Sequence, residues 1–146
     1  MRTHVALALA AGLSVIPYVV HAYSFFPILL LSTLLPDIDC MHSTLGKYKL
    51  FRPLQWFVKH RGMLHSLTFC LAVTLVLMLF APVFALPFFS GYGLHLFGDR
   101  LTVEGIQPWW PLGEDIKGKM LTNGTLEKGV FYGLCVIILF LIMRLI

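Results

Sequence analysis

Five apolar runs, separated by polar segments, organise this chain. The first extends from about His4 to His21, and within it Ala8 and Gly12 stand four apart, the small-xxx-small spacing that lets helices approach closely in lipid. A second covers about Phe25 to Leu35 and stops at Pro36, a residue that ends or bends a helix. This run is short for a full crossing, so it is either lengthened by its flanks or partly re-entrant. The third, about Met63 to Leu86, is the clearest, with Pro82 a candidate kink near its far end. Pro87 marks a tight turn into a fourth run, about Phe88 to Thr102, and the last covers Gly129 to Ile146. Lipid cannot satisfy open backbone groups, so runs of this kind read as helices. The expected fold is all-α: one integral membrane domain over residues 1–146, a polytopic bundle of about five transmembrane helices, or about four if the second run is re-entrant.

Composition agrees. With 58% hydrophobic and 12% charged residues, the chain lacks the polar surface to cover a water-soluble globule of its size. A net charge of +4 invites a nucleic-acid reading, but the basic residues sit between the apolar runs, where they signal topology instead, and no nucleic-acid partner is expected. Placing the amino terminus in the cytoplasm puts Arg2 and the connections 37–62 and 103–128 on that side, leaving Arg144 near the outer one. The amino-terminal run also resembles a signal sequence ending at Val20-His21-Ala22, but another apolar run follows at once, which favours a retained helix. Cys40, Cys70 and Cys135 are odd in number and form neither a disulfide framework nor a CxxC knuckle.

That topology gathers the chemistry at one membrane face. His4 opens the first helix, Asp37 and Asp39 close the second, His60 and His65 open the third, and His95 and Asp99 end the fourth. His95 and Asp99, four apart, share one helical face that Gly91 and Thr102 extend; alone, HxxxD often means only a His–Asp hydrogen bond. His60 and His65 diverge by about 140° on a continuous helix, so Gly62 is read as the turn that lets both face one site, with Ser66 capping the helix or bonding a ligand. Their plainer reading is an interfacial pair beside an Arg61 that binds lipid phosphate. Asp37 and Asp39 follow a proline, and in an extended segment residues two apart point the same way; otherwise Asp39 is a turn residue. Ionisable groups at a membrane helix cost about 2.5 to 3.5 kcal/mol each at the midplane and less near the interface, which favours reading them jointly. Mixed imidazole and carboxylate ligands suit a divalent metal, zinc first, with manganese or iron as alternatives.

These blocks resemble the YdjM-like family of small bacterial inner-membrane proteins, described as membrane-bound metal-dependent hydrolases. The resemblance rests on Leu35-Pro36-Asp37-Ile38-Asp39 with Ser43 and Gly46, on His60-Arg61-Gly62 with His65-Ser66-Leu67, and on Gly91-Tyr92 with His95, Asp99, Thr102 and Gly105; His4 matches an early histidine of the pattern. Where the family often has His after the second Asp, this chain has Cys40, with His42 two residues on. The resemblance implies a hydrolase of the bacterial inner membrane without assigning a substrate or a metal.

The expectation is therefore a metal site of Asp37, His60, His65, His95 and Asp99 that activates water, with Asp39 or His4 as further ligand or proton acceptor and Arg61 neutralising an anionic substrate. A site at headgroup level suggests a phospholipid or other amphiphilic ester, with membrane lipids as partners. The alternative class is a non-catalytic membrane protein: a metal or proton transporter, which wants polar residues at midplane and on both sides, or a metal-stabilised scaffold binding anionic lipid. A metal-free lipid phosphatase wants Lys-Arg-Pro and Ser-Gly-His blocks, and neither occurs. Trp56, Trp109 and Trp110 read as interfacial anchors, and Asn123-Gly124-Thr125 as a turn.

Overall fold

The computed structural model describes residues 2–41, 43, 45–58 and 61–145. Among them the chain is helical and contains no strand, only two isolated bridges. The helices are α1 (Arg2–Val15), α2 (Ala22–Leu34), the short α3 (Arg52–Phe57), α4 (Leu67–Phe80), α5 (Pro82–Arg100) and α6 (Thr125–Leu145). Single 3-10 turns cover Ile16–Tyr18, Pro36–Asp39, Lys49–Phe51 and Met63–His65. Among the described residues, two segments are apolar and long enough to cross a membrane by length and composition, Ala22–Asp39 and Thr125–Leu145.

Two element boundaries differ from the sequence expectation. The third and fourth apolar runs part at Ala81, not at Pro87, so α4 ends at Phe80 and Pro82 takes the first turn of α5. A proline at that position gives up an N–H that has no helical partner anyway, whereas Pro87 is carried within α5, a buried position among packed neighbours. Asp37 and Asp39 lie on a 3-10 turn that prolongs α2, not on an extended segment, because the turn opens on Pro36 and closes with Cys40 N–H on the Asp37 carbonyl.

Close approach of backbones sets the bundle. A Cβ on Gly91 would stand 2.1 Å from the Leu29 carbonyl oxygen, so α5 and α2 meet there only because Gly91 has none. A Cβ on Gly12 would meet the Phe26 ring at 2.8 Å, and Ala8 is buried against Phe25 and Leu29, so the small residues of α1 do face α2. On the other side of α5, Cys70 of α4 packs with Phe88, Tyr92 and Leu96. The 101–124 connection folds back: Ile106 bridges to Ile116 and buries itself in that same cluster. α6 packs against α1 and buries none of its side chains fully.

Candidate metal centre

Four elements converge at one end of this bundle. The turn after α2 brings Asp37 and Asp39, the turn before α4 brings His65, the last turns of α5 bring His95 and Asp99, and the first turn of α1 brings His4. Each is held by local structure. Ser43 donates to the Asp37 carbonyl (2.5 Å) and accepts from Gly46 N–H (2.8 Å), while Gln55 Nε2 donates to the carbonyls of Ile38 (2.7 Å) and Gly46 (2.8 Å), closing the loop behind the two aspartates. Tyr92 Oη donates to the Leu64 carbonyl (2.5 Å) and pins the turn that carries His65. Ser66 caps α4, accepting from Phe69 N–H at 3.1 Å. Of the two residues that precede that turn, it is Arg61 that adopts left-handed backbone (φ 61°), whereas Gly62, expected to supply the turn, has φ −91°. His60 lies outside the described residues, as does His42.

Both buried imidazoles use Nδ1 to fix their orientation. His95 Nδ1 lies 2.7 Å from the Thr33 carbonyl oxygen, which can only accept, so Nδ1 carries the proton and the neutral ring presents the lone pair of Nε2. His65 Nδ1 lies 3.1 Å from Asp39 Oδ2. The two Nε2 atoms then face the same carboxylates. His65 Nε2 stands 3.7 Å from Asp37 Oδ1 and 3.4 Å from Asp99 Oδ2; His95 Nε2 stands 3.8 Å and 3.5 Å from those same two oxygens.

Asp99 divides its oxygens. While Oδ2 faces the two buried histidines, Oδ1 lies 3.1 Å from His4 Nε2, without the alignment of a hydrogen bond, and 3.5 Å from the Arg61 guanidinium. His4 stacks on His95 with ring centroids 4.5 Å apart, in space left by Gly98, where a Cβ would come within 2.7 Å of the imidazole. Arg61 Nη1 donates to the Gly105 carbonyl (2.7 Å) and to Thr102 Oγ1 (3.2 Å), and Nη2 pairs with Glu104 at 3.2 Å. Its Nε is buried with no hydrogen-bond partner among the described residues. A cavity of about 350 Å³ opens beside the cluster, with Asp37, His4, Arg61 and Asp99 in its wall.

Two overlapping groups could each hold a cation: Asp37, His65 and His95, and His4, His95 and Asp99, with the chosen ligand atoms of each group within 4.8 Å of one another. Thus every candidate site residue within the described part of the chain joins one cluster. Asp39 reaches it through His65 Nδ1, and Arg61 through Asp99. Sequence reasoning missed Thr33, Gln55 and Glu104. Thr33 acts through its backbone carbonyl, which no side-chain pattern reveals; Gln55 lies in α3, a helix of only six residues and too short to show a period, and Glu104 lies in a loop.

Fold and cluster together define an all-helical, membrane-type protein with a buried His/Asp centre at one end of its bundle. Over residues 1–146 the chain matches, and belongs to, the family of the YdjM inner membrane protein. It is 37% identical over 94 residues to inner membrane protein YdjM of Escherichia coli (strain K12), and to that of Shigella flexneri to the same extent. Those matches cover 58% of this chain and 48% of each relative, so the chain spans about half the length of the curated relatives it matches. No solved structure matches it.

Proposed function

We propose that this is a multi-pass inner-membrane hydrolase that uses one divalent cation, zinc first, held by His65, His95, Asp37 and Asp99 at the cytoplasmic face. The observation that carries this reading is the spacing of the four ligand atoms. Bonds of about 2.0 to 2.2 Å to a tetrahedral ion put ligand atoms ~3.3 to 3.6 Å apart. The four imidazole-to-carboxylate separations run from 3.4 to 3.8 Å, from inside that range to just beyond it, and Asp37 and Asp99 belong to two triads that share His95. The donor set, two neutral-type nitrogens and two carboxylate oxygens, suits zinc and also accommodates manganese or iron. Asp39 and the Thr33 carbonyl complete the arrangement by orienting the two rings, the usual role of groups behind a metal-ligating histidine.

A divalent ion in this position supplies a bound water acidic enough to yield hydroxide near neutral pH. The chain's own residues do the rest. Arg61, in the cavity wall, attracts an anionic group on the substrate and the negative charge that develops there. His4 has a buried Nδ1 with no partner among the described residues and can accept or return a proton. His4 and Arg61 together occupy the far oxygen of Asp99, which favours one ion over two.

A transporter reading finds less support. Beyond the cluster the buried interior is apolar, built from Ala8, Phe25 and Leu29 on one side and Phe88 and Leu96 on the other. The hydroxyls of Ser32 and Thr33 are taken up by helix carbonyls. The deciding measurement is metal content of detergent-purified protein beside His65→Ala and Asp99→Ala. The wild type should carry close to one equivalent and both variants much less at equal helicity. Three metal-free, equally folded proteins would sink the proposal.

A further inference from the structure

The site cavity does not end at the metal cluster. Part of its wall is formed by Thr3, Thr122, Asn123 and Glu127, and the same four residues also line a second cavity that adds Arg2, Lys128 and Tyr132. That cavity in turn shares Arg2 and Phe131 with an apolar groove of about 380 Å³ between α1 and α6, walled by Val5, Leu9 and Ile138. A continuous series of walls therefore leads from Arg61 to the lipid-facing side of the α1/α6 pair. Between the inner and outer cavities stands one bridge: Thr3 Oγ1 donates to Glu127 Oε1 at 2.6 Å, and the other carboxylate oxygen accepts from Asn123 N–H at 2.5 Å.

We propose that the α1/α6 cleft is a binding and access site for an anionic membrane lipid, with an acyl chain in the groove and the headgroup at its rim. The chemistry changes along the path in the order such a molecule requires. The groove is apolar along its length, as an acyl chain needs. Its rim carries Arg2 and Lys128, both exposed, and such cations at headgroup level attract anionic lipid. Tyr132 stands beside them, 66% exposed, where an amphipathic ring suits the interface. Past the Thr3–Glu127 bridge the next cation is Arg61. A free anion would need only the two cationic ends of this path; the apolar groove joined to it selects an amphiphile. Resting on the hydrolase reading, this names the substrate class: an anionic lipid whose headgroup passes the Thr3–Glu127 bridge into the cavity.

Native mass spectrometry of the detergent-solubilised full chain tests it, with dioleoyl phosphatidylglycerol, dioleoyl phosphatidylcholine and glycerol 3-phosphate as probes and metal content read on the same samples. Phosphatidylglycerol should be retained about tenfold better than phosphatidylcholine, and glycerol 3-phosphate not at all. The double variant Arg2→Gln/Lys128→Gln should erase the preference between the two lipids, and Ala6→Phe, which fills the groove, should remove the adduct. Should Ala6→Phe fail to fold, alkylation of the native Cys135 in the groove wall serves instead, slowed by phosphatidylglycerol and not by glycerol 3-phosphate. Equal retention of the two lipids by the wild type, an adduct unaffected by either variant, Cys135 alkylation indifferent to lipid, or a protein dimer that carries none would overturn the proposal. Lipid bound as expected to a metal-free wild type would uphold the lipid site and sink the hydrolase reading, so the two fail separately.

Discussion

His65 and His95 are fully buried, and each has one nitrogen committed to orientation and the other to the cluster. That division makes Asp39 a positioning residue. Asp39→Asn keeps the shape but loses the charge that holds the His65 ring, and it should weaken metal binding by about 10- to 100-fold in competition with a chelator while leaving the helical content unchanged. Asp37→Ala removes a ligand outright and should weaken it further. Equal affinity in Asp39→Asn and wild type would show that His65 is oriented by something else. Of these roles the sequence disclosed the residue types and their common side. It did not disclose which carboxylate stands at His65 Nδ1 and which at Nε2, because Asp37 and Asp39 were expected on an extended strand-like segment and lie on a 3-10 turn.

At the scale of elements, the centre depends on how α5 meets its neighbours. Gly91→Ala would drive a Cβ against the Leu29 carbonyl, a backbone atom that cannot swing aside. Since Thr33 and His95 pair one turn further along the same contact, this variant should lower both the thermal midpoint and the metal content. Normal values for both in Gly91→Ala would mean that the α2/α5 contact is not required. Tyr92→Phe removes the hydroxyl that pins Leu64 and leaves a buried carbonyl short of a donor, which should cost about 1 to 3 kcal/mol in a denaturation midpoint shift. Helix periodicity made His95 and Asp99 legible as one face. The break at Ala81 was not legible, because Pro82 and Pro87 carry the same local signal and only packing decides which one a helix absorbs.

For the molecule as a whole, the observable is the side on which each end of the bundle lies. Tyr18 is 80% exposed at the end opposite the cluster, whereas Cys40 is in the wall of the site cavity. With the amino terminus in the cytoplasm, a membrane-impermeant maleimide applied to spheroplasts should label a Tyr18→Cys protein at that position and spare Cys40 until the membrane is opened. The reverse pattern would invert the orientation that the distribution of lysine and arginine supports. Helix lengths belong to this scale too. At about 1.5 Å per residue, the 19 residues of α5 reach about 28 Å, near the thickness of a hydrocarbon core, while the 14 of α4 reach about 21 Å.

By itself the sequence determined that this chain is a set of apolar helices and that His4, Asp37, Asp39, His65, His95 and Asp99 stand at helix ends that a simple up-and-down order brings together. Both follow from quantities written along the chain: hydropathy, the 3.6-residue period and the placement of charge. Tertiary structure decided the rest. It placed the Thr33 carbonyl behind His95, split Asp99 between the buried histidines and the His4–Arg61 pair, and set Glu127 against Thr3 across 124 residues of sequence. These are contacts between distant segments, and some are made by backbone atoms that every residue possesses, so no local pattern records them. Packing alone determines which carbonyl or carboxylate oxygen meets which ring nitrogen.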